Sequence, residues 1–419
     1  VDFAPTMLSL AGITVPKHLQ GQAFLGSQKA RKPRDYIYGA KDRIDEAPDL
    51  TRAVHDRKYS YVRNFMWHVP YSVNMNYMDQ MPSMQEMRRL NAEGKLKGAE
   101  QLYFLPRRPV EELYDLEKDP YEINNLAGNP RNKNVVLRMR KELKRWISEI
   151  EDVGLIPEPD FDAMKRPGDK YELTAEPSFV PQKSTSPEKG QLVEIICPTP
   201  GASIEYRIEG RKKKSPWLLY NKPVTIKPGQ VISAKAGRIG FKDSKKVQHR
   251  FGEPRRRQVQ AQAKKAHWRD QLAKTDVLKK LLRFKDIDFE GAGGIPKCFE
   301  ALNDKYGSVR YWAVIGLHNL CENHADIQKA KAAIGKLLND DSWSVKIAAA
   351  HALCDWGEQK KGLPVLMEAI EDSHASTRHF AMVALEQIGN KARPALATIK
   401  AKLKDGYAGR VAGRIVAKL

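Results

Sequence analysis

The hydrophobic period changes several times along this chain, and each change marks an element. Ala4-Pro5-Thr6-Met7-Leu8-Ser9-Leu10-Ala11-Gly12 reads as a short amphipathic helix. Glycine closes it, as a residue that takes the left-handed conformation past a helix end without a Cβ clash. Tyr36-Ile37-Tyr38-Gly39 and Ala53-Val54 are candidate short strands, and Tyr59-Ser60-Tyr61-Val62-Arg63-Asn64 alternates as a half-buried strand does. Residues 65–109 show no period and carry Met66, Met75, Met78, Met81, Met84 and Met87, so they read as a long irregular segment. Glu111-Glu112-Leu113-Tyr114-Asp115 reads as a strand, then an acidic turn and an Asn-rich helix entry. Val135, Val136, Met139, Leu143, Trp146, Ile147 and Ile150 form a helical stripe that closes this first region, 1–155.

A Pro-rich stretch, 156–172, reads as a linker. From 173 to 251 the period is two: Ile204-Glu205-Tyr206-Arg207-Ile208-Glu209 alternates strictly. Val193, Ile195, Val224, Ile226, Val231 and Ile232 supply further short runs between Pro-Gly and Gly turn signals, which predicts a small antiparallel β-sandwich. Residues 252–290 are a basic helical connector opening on Arg255-Arg256-Arg257, with Trp268, Leu272, Leu278, Leu281 and Leu282 marking one face. The remainder, 291–419, repeats itself. Asp304, Asp340, Asp372 and Asp405 open four similar segments spaced by 36, 32 and 33 residues, with Arg310, Lys346, Arg378 and Arg410 recurring inside them. Ala-rich helices follow, such as Ala348-Ala349-Ala350-His351-Ala352-Leu353. A helix-pair repeat of this period resembles a HEAT-type array, in which small residues let layers stack closely and the Asp anchors a loop or caps a helix.

Composition adds a charge argument. The chain has 72 Lys+Arg against 51 Asp+Glu, a net charge of +21, which favours a polyanionic partner or else describes a solvated Lys-rich surface. No run of apolar residues is long enough to span a membrane. Cys197, Cys298, Cys321 and Cys354 show no Cys-x-x-Cys spacing, so a cysteine metal site is not expected and the redox compartment stays undecided. The opening Val1-Asp2-Phe3-Ala4-Pro5 looks like a start inside a domain, so a truncated protein is expected.

Three ordered segments of 1–155 resemble the sulfatase family, in particular its heparan N-sulfatase-like members. They are Val1-Asp2-Phe3-Ala4-Pro5-Thr6-Met7-Leu8-Ser9-Leu10-Ala11-Gly12; Ala40-Lys41-Asp42-Arg43-Ile44-Asp45-Glu46 with the strand pair up to Asn64; and Glu111 to Pro120 with Glu122-Ile123-Asn124-Asn125-Leu126-Ala127. The resemblance implies the C-terminal α/β subdomain of an alkaline-phosphatase-like sulfatase fold. With the β-sandwich and an α-helical solenoid after it, the fold class is multi-domain. It further implies hydrolysis of a sulfate ester or sulfamate on a sulfated carbohydrate, using a formylglycine made from Cys-x-Pro-x-Arg and Ca²⁺, and export to the periplasm or outside the cell. Neither the Cys motif nor the Ca²⁺ ligands are found: Cys197-Pro198-Thr199-Pro200-Gly201 lacks the Arg. No nucleophile or metal ligand is therefore carried over, and these residues alone are expected to be inactive. Residues 186–207 are similar to the chitobiase C-terminal, fibronectin-like module of carbohydrate-active enzymes.

The residues left to carry function are those of substrate recognition. Arg43 can pair with a sulfate or uronate while Asp45 and Glu46 accept sugar hydroxyls, or the three form an internal salt-bridge cluster fixing their loop. His68, beside Trp67, lines a sugar site or packs as a structural histidine. Arg211-Lys212-Lys213-Lys214 contacts an anionic polymer or is a solvated turn. The rival to an enzyme is a non-enzymatic HEAT-repeat binding protein for nucleic acid or a protein partner. Under the sulfatase reading a protein partner of the repeats remains open and nucleic acid is disfavoured.

Overall fold

The computed structural model describes residues 1–181, 190–210, 215–253 and 268–419. They form two compact units, one of residues 1–157, 277–370 and 379–419 and the other of 158–276 and 371–378. The runs Arg211–Lys214 and Arg255–Arg257, and Ser186–Lys189 of the module likeness, lie outside the described residues.

The first unit opens with α1, Phe3–Leu10, whose chain leaves through Gly12 at φ +71°. Its orientation is unusual. Thr6 and Ser9 are buried, accepting the amides of Phe24 and Gln28 at 3.1 and 2.9 Å, while Phe3, Met7 and Leu10 stay exposed. A four-stranded antiparallel sheet follows, β1 Ile37–Ile44, β2 Ala47–His55, β3 Tyr59–Asn64 and β4 Glu111–Asp115, in the order β1-β2-β3-β4. β1 and β2 run well beyond the short apolar runs read from the sequence. Their intervening charges are paired: Arg52 with Asp152 and Asp42 at 2.6 and 2.7 Å, and buried Asp49 with Arg108 at 2.6 Å. Between β3 and β4, the segment expected to be irregular contains α2 Asn76–Asp79, α3 Pro82–Ala92 and α4 Ala99–Tyr103. None of these fully buries a residue, so the stripe of Met84, Met87 and Leu90 on α3 is only half-buried and weak, although Pro82 at its first turn is a start signal. The Asn-rich stretch after β4 is a turn rather than a helix entry. Asn125 Oδ1 accepts the amide of Leu113 at 3.0 Å and of Ala127 at 2.9 Å, tying the turn to the strand. α5, Lys133–Glu149, lays Val136, Met139, Leu143 and Ile147 into a core that includes the fully buried Val54, Tyr61 and Leu113.

In the second unit the stretch read as a linker carries a helix, α6 Glu158–Lys165, whose Phe161 meets the ring of Trp268 edge-on at 4.9 Å. The strands are β5 Ser178–Pro181, β6 Gln191–Ile196, β7 Ser203–Glu209, β8 Leu218–Leu219, β9 Val224–Ile226, β10 Val231–Gly237 and β11 Val247–Arg250. They form two antiparallel sheets, β5-β6-β9 and β11-β10-β7-β8. Period-two alternation sends Val193, Ile195 and Ile226 of one sheet and Ile204, Ile232, Ala234 and Ala236 of the other into a shared core. The short helix α7, Trp268–Leu272, follows.

The helical region runs α8 Val277–Phe284, α9 Ile295–Ala301, α10 Gly307–Leu320, α11 Ile327–Gly335, α12 Trp343–Asp355, α13 Gln359–Ala369, α14 Ala375–Gln387, α15 Leu396–Ala401 and α16 Gly406–Lys418. The repeated Asp closes a turn before each long helix: Asp304, Asp340 and Asp372 accept the amide two residues on at 3.0, 2.9 and 2.8 Å. Arg310 reaches Asp340 of the next repeat at 2.6 Å, the interlayer use of the recurring cation. Small residues set the layer spacing. A Cβ on Gly362 of α13 would sit 2.4 Å from the carbonyl oxygen of Ala350 in α12.

Candidate functional site

The β1–β2 hairpin pairs Ile44 with Ala47, leaving Asp45 and Glu46 as a two-residue turn. Asp45 has φ +44°, a left-handed conformation that Asp tolerates better than most side chains. Arg43 donates to the Asp45 carbonyl, and its guanidinium lies 4.5 Å from the ring of Tyr407 on α16. The Glu46 carboxylate is fully buried. It accepts the amide of Asn76 at 2.6 Å and Arg414 Nη1 at 2.7 Å, while Arg410 stands at 3.4 Å. Burial pushes its pKa up, but the Asn76 amide and the Arg414 charge outweigh this and hold the carboxyl below its ordinary range. Arg414 also grips Glu386 at 2.8 Å, and His379 Nε2 lies 2.9 Å from the Glu46 carbonyl oxygen. Three of the four residues singled out from the sequence thus meet at one turn, with Glu46 bound to the last repeat helix.

His68 belongs to a second cluster. It sits beside Trp67, over whose ring Arg107 lies at 5.5 Å. Burial first, then the positive Lys285 and the nearby His318, hold its pKa well below the ordinary value and keep the ring neutral. Close to this cluster are contacts that sequence reasoning missed. Arg63 of β3 binds Asp288 at 2.7 Å and the Lys285 carbonyl at 2.8 Å, and Lys285 pairs with the same carboxylate at 3.0 Å. Arg63 and Arg140 both face the Phe289 ring, at 4.5 and 4.1 Å. Lys144 binds Asp286 at 2.5 Å, and Trp312 Nε1 donates to the Leu155 carbonyl at 2.8 Å. The run Lys285-Asp286-Ile287-Asp288 is charged, but nothing in it names a partner more than 200 residues away.

The turn therefore presents the half-buried Arg43 and Asp45, suited to an anion and to a sugar hydroxyl, on a backbone clamped by buried pairs. The described residues do not fit a formylglycine or Ca²⁺. Burial raises the thiols of Cys298, Cys321 and Cys354 to about 12, 11 and 11, well away from reactivity, and none lies in a Cys-x-Pro-x-Arg run. Among the described residues no group of three His, Cys, Asp or Glu side chains is placed to hold a metal ion. Nor is any helix there long and apolar enough to cross a membrane.

Comparison with known proteins adds the following. The family model for HEAT repeats matches residues 330–417. An ulvan-active sulfatase of Formosa agariphila is 39% identical over 251 residues, covering 59% of this chain and 41% of that protein. That match is longer than residues 1–155 can supply, so it reaches beyond the first region. Human N-sulphoglucosamine sulphohydrolase is 25% identical over 163 residues, 36% of this chain and 32% of that enzyme. The solved structure of BT4656 in complex with its substrate D-glucosamine-2-N,6-O-disulfate is 16% identical, with a TM-score of 0.24 over 36% of this chain and 24% of that one. The chain thus spans well under half the length of these curated relatives. Its resemblance to sulfatases and to HEAT repeats holds, and its described residues combine antiparallel sheets with a helical C-terminal region.

Proposed function

We propose that this chain is the C-terminal part of a sulfatase, a sulfuric ester or sulfamate hydrolase acting on a sulfated carbohydrate outside the cytoplasm. In this reading, residues 1–155 are its C-terminal subdomain and the sandwich is a chitobiase C-terminal-like module. The observation that carries it is the 39% identity to an ulvan-active sulfatase over 59% of this chain. The exposed apolar face of α1, Phe3, Met7 and Leu10, supports it, because a larger lobe would cover such a face. Formylglycine and Ca²⁺ then belong to the catalytic lobe, since the residues here fit neither. Arg43 and Asp45 contact substrate, with Glu46 and His68 holding the segments that present them. Against a purely non-enzymatic repeat protein stands the internal use of its recurring cations: Arg310 is spent on Asp340, and Arg378 donates to the carbonyl oxygens of Asp372 and Ser373 at 2.9 and 2.8 Å.

The full-length gene product, with its formylglycine installed, should release sulfate from a sulfated glycan in a Ca²⁺-dependent manner. Arg43→Ala should raise KM more than it lowers kcat. Absence of release across a panel of aryl sulfates and sulfated glycans would overturn the assignment.

A further inference from the structure

We infer that the outer face of the β11-β10-β7-β8 sheet is a non-catalytic binding surface for a sulfated polysaccharide, centred on Trp217, Arg207 and Lys235. The net charge of the chain is unevenly placed. Residues 173–251 hold 15 Lys and Arg against 6 Asp and Glu, a surplus of nine out of +21 in less than a fifth of the length. Six of those cations, Lys183, Lys189 and the four of Arg211–Lys214, lie beyond the described residues; Arg207 and Lys235 define the face.

The alternation that buries Ile204, Ile232, Ala234 and Ala236 turns Glu205, Arg207 and Lys235 outward. Arg207 and Lys235 lie 4.8 and 5.2 Å from the Trp217 ring. Beside it on the edge strand β8, Leu219, opposite Glu205 on the same face, is 65% exposed. Neither this indole nor Leu219 belongs to the core cluster of so basic a module. Cations next to an aromatic platform match a polymer that offers anionic groups and apolar C–H faces together. A sulfated polysaccharide offers both. A nucleic-acid duplex offers phosphates outside and keeps its base faces stacked within, so it would use the cations and leave Trp217 idle. Lys235 pairs with Glu205 at 3.0 Å with the two side chains 36% and 48% exposed, a pair weak enough to exchange for a polymer sulfate, while Arg207 is held more firmly against Glu209 at 2.8 Å and adds its charge beside the Trp217 ring. The choice of polymer rests on the proposed sulfatase reading; the surface itself does not.

Binding of the 1–419 chain to fluorescently labelled ulvan, to the same polymer chemically desulfated, and to double-stranded DNA tests the inference without any catalytic step. At about 0.1 M salt the sulfated polymer should bind at least about tenfold more tightly than the desulfated one, through charge-assisted contacts and counterion release. Arg207→Ser with Lys235→Ser should weaken it about tenfold and lower the salt slope by about two. Trp217→Ala should weaken it several-fold and leave DNA binding unchanged. Should Trp217→Ala disturb the sandwich melt, Lys235→Gln alone carries the test, with a smaller loss and a slope change of about one. Unchanged affinity in these variants, or DNA bound as tightly as the sulfated polymer, would overturn the inference. Failure of sulfate release by the full-length protein would leave this result standing, so the two proposals fail separately.

Discussion

Arg63 and Lys235 are both cations on sheets, and both are ion-paired, yet they stand in opposite conditions. The Arg63 side chain is 5% exposed and its partner Asp288 6%, with Lys285 sharing the same carboxylate. Lys235 is 36% exposed and its partner Glu205 48%. The Arg63 cluster is buried and shared, so each of its charges depends on a specific opposite charge, and Arg63 finds its own in a distant part of the chain. On the sandwich the Lys235–Glu205 pair is half in water and the cations outnumber the acids, so that pair can be exchanged at small cost. Burial, more than residue type, decides whether an arginine or lysine organises the fold or meets a partner.

That contrast can be broken most sharply at Asp288. Asp288→Ala leaves Arg63 and Lys285 buried without their carboxylate and should cost about 3–5 kcal/mol in denaturant unfolding. A loss below about 1 kcal/mol would mean the cluster is wetter than its burial indicates. A smaller effect, about 1–3 kcal/mol, is expected for Glu46→Gln, which keeps the shape but removes the charge facing Arg414. Amide exchange in α16 should quicken in that variant, and an unaltered α16 would detach the hairpin turn from the last repeat.

Acid should separate the regions further. Burial holds His379 at about 4 and His351 at about 3, against 6.5 for the exposed ring. Above pH 6.5 both states carry neutral rings and the stability is complete. Between 6.5 and the folded values only the unfolded chain takes up the proton, so stability falls as pH falls and levels off below them. At pH 5 each such histidine should cost on the order of 1–2 kcal/mol relative to pH 7. Urea titrations at both pH values should show this, and His379→Gln should flatten the difference. The smallest effect is expected on the sandwich, where Lys235→Ser should shift stability by no more than about 0.5 kcal/mol while weakening polymer binding. A large stability loss there would place this cation with the structural ones.

Much of the fold was legible because its signals are local. Strict alternation at Ile204–Glu209 marks β7, and the stripe of Val136, Met139, Leu143 and Ile147 marks α5. The Asp spacing announces the repeat, since each turn is closed within a few residues. Where local apolar periodicity is weak the reading failed, at α2, α3 and α4, none of which fully buries a side chain, and at Asn125, which bonds to a strand instead of starting a helix. Of the candidate site, Arg43, Asp45 and Glu46 could be singled out as a charged run on a loop. That Glu46 is buried against Arg414, 368 positions later, could not, because both residues look like ordinary surface charges until the chain folds.

By itself, then, the sequence determined the periods, the turns, the repeat and the family likeness, all of which depend on neighbouring residues. Tertiary structure alone decided which charges are buried, since the partner that makes a buried charge tolerable comes from a distant segment and has no local signature.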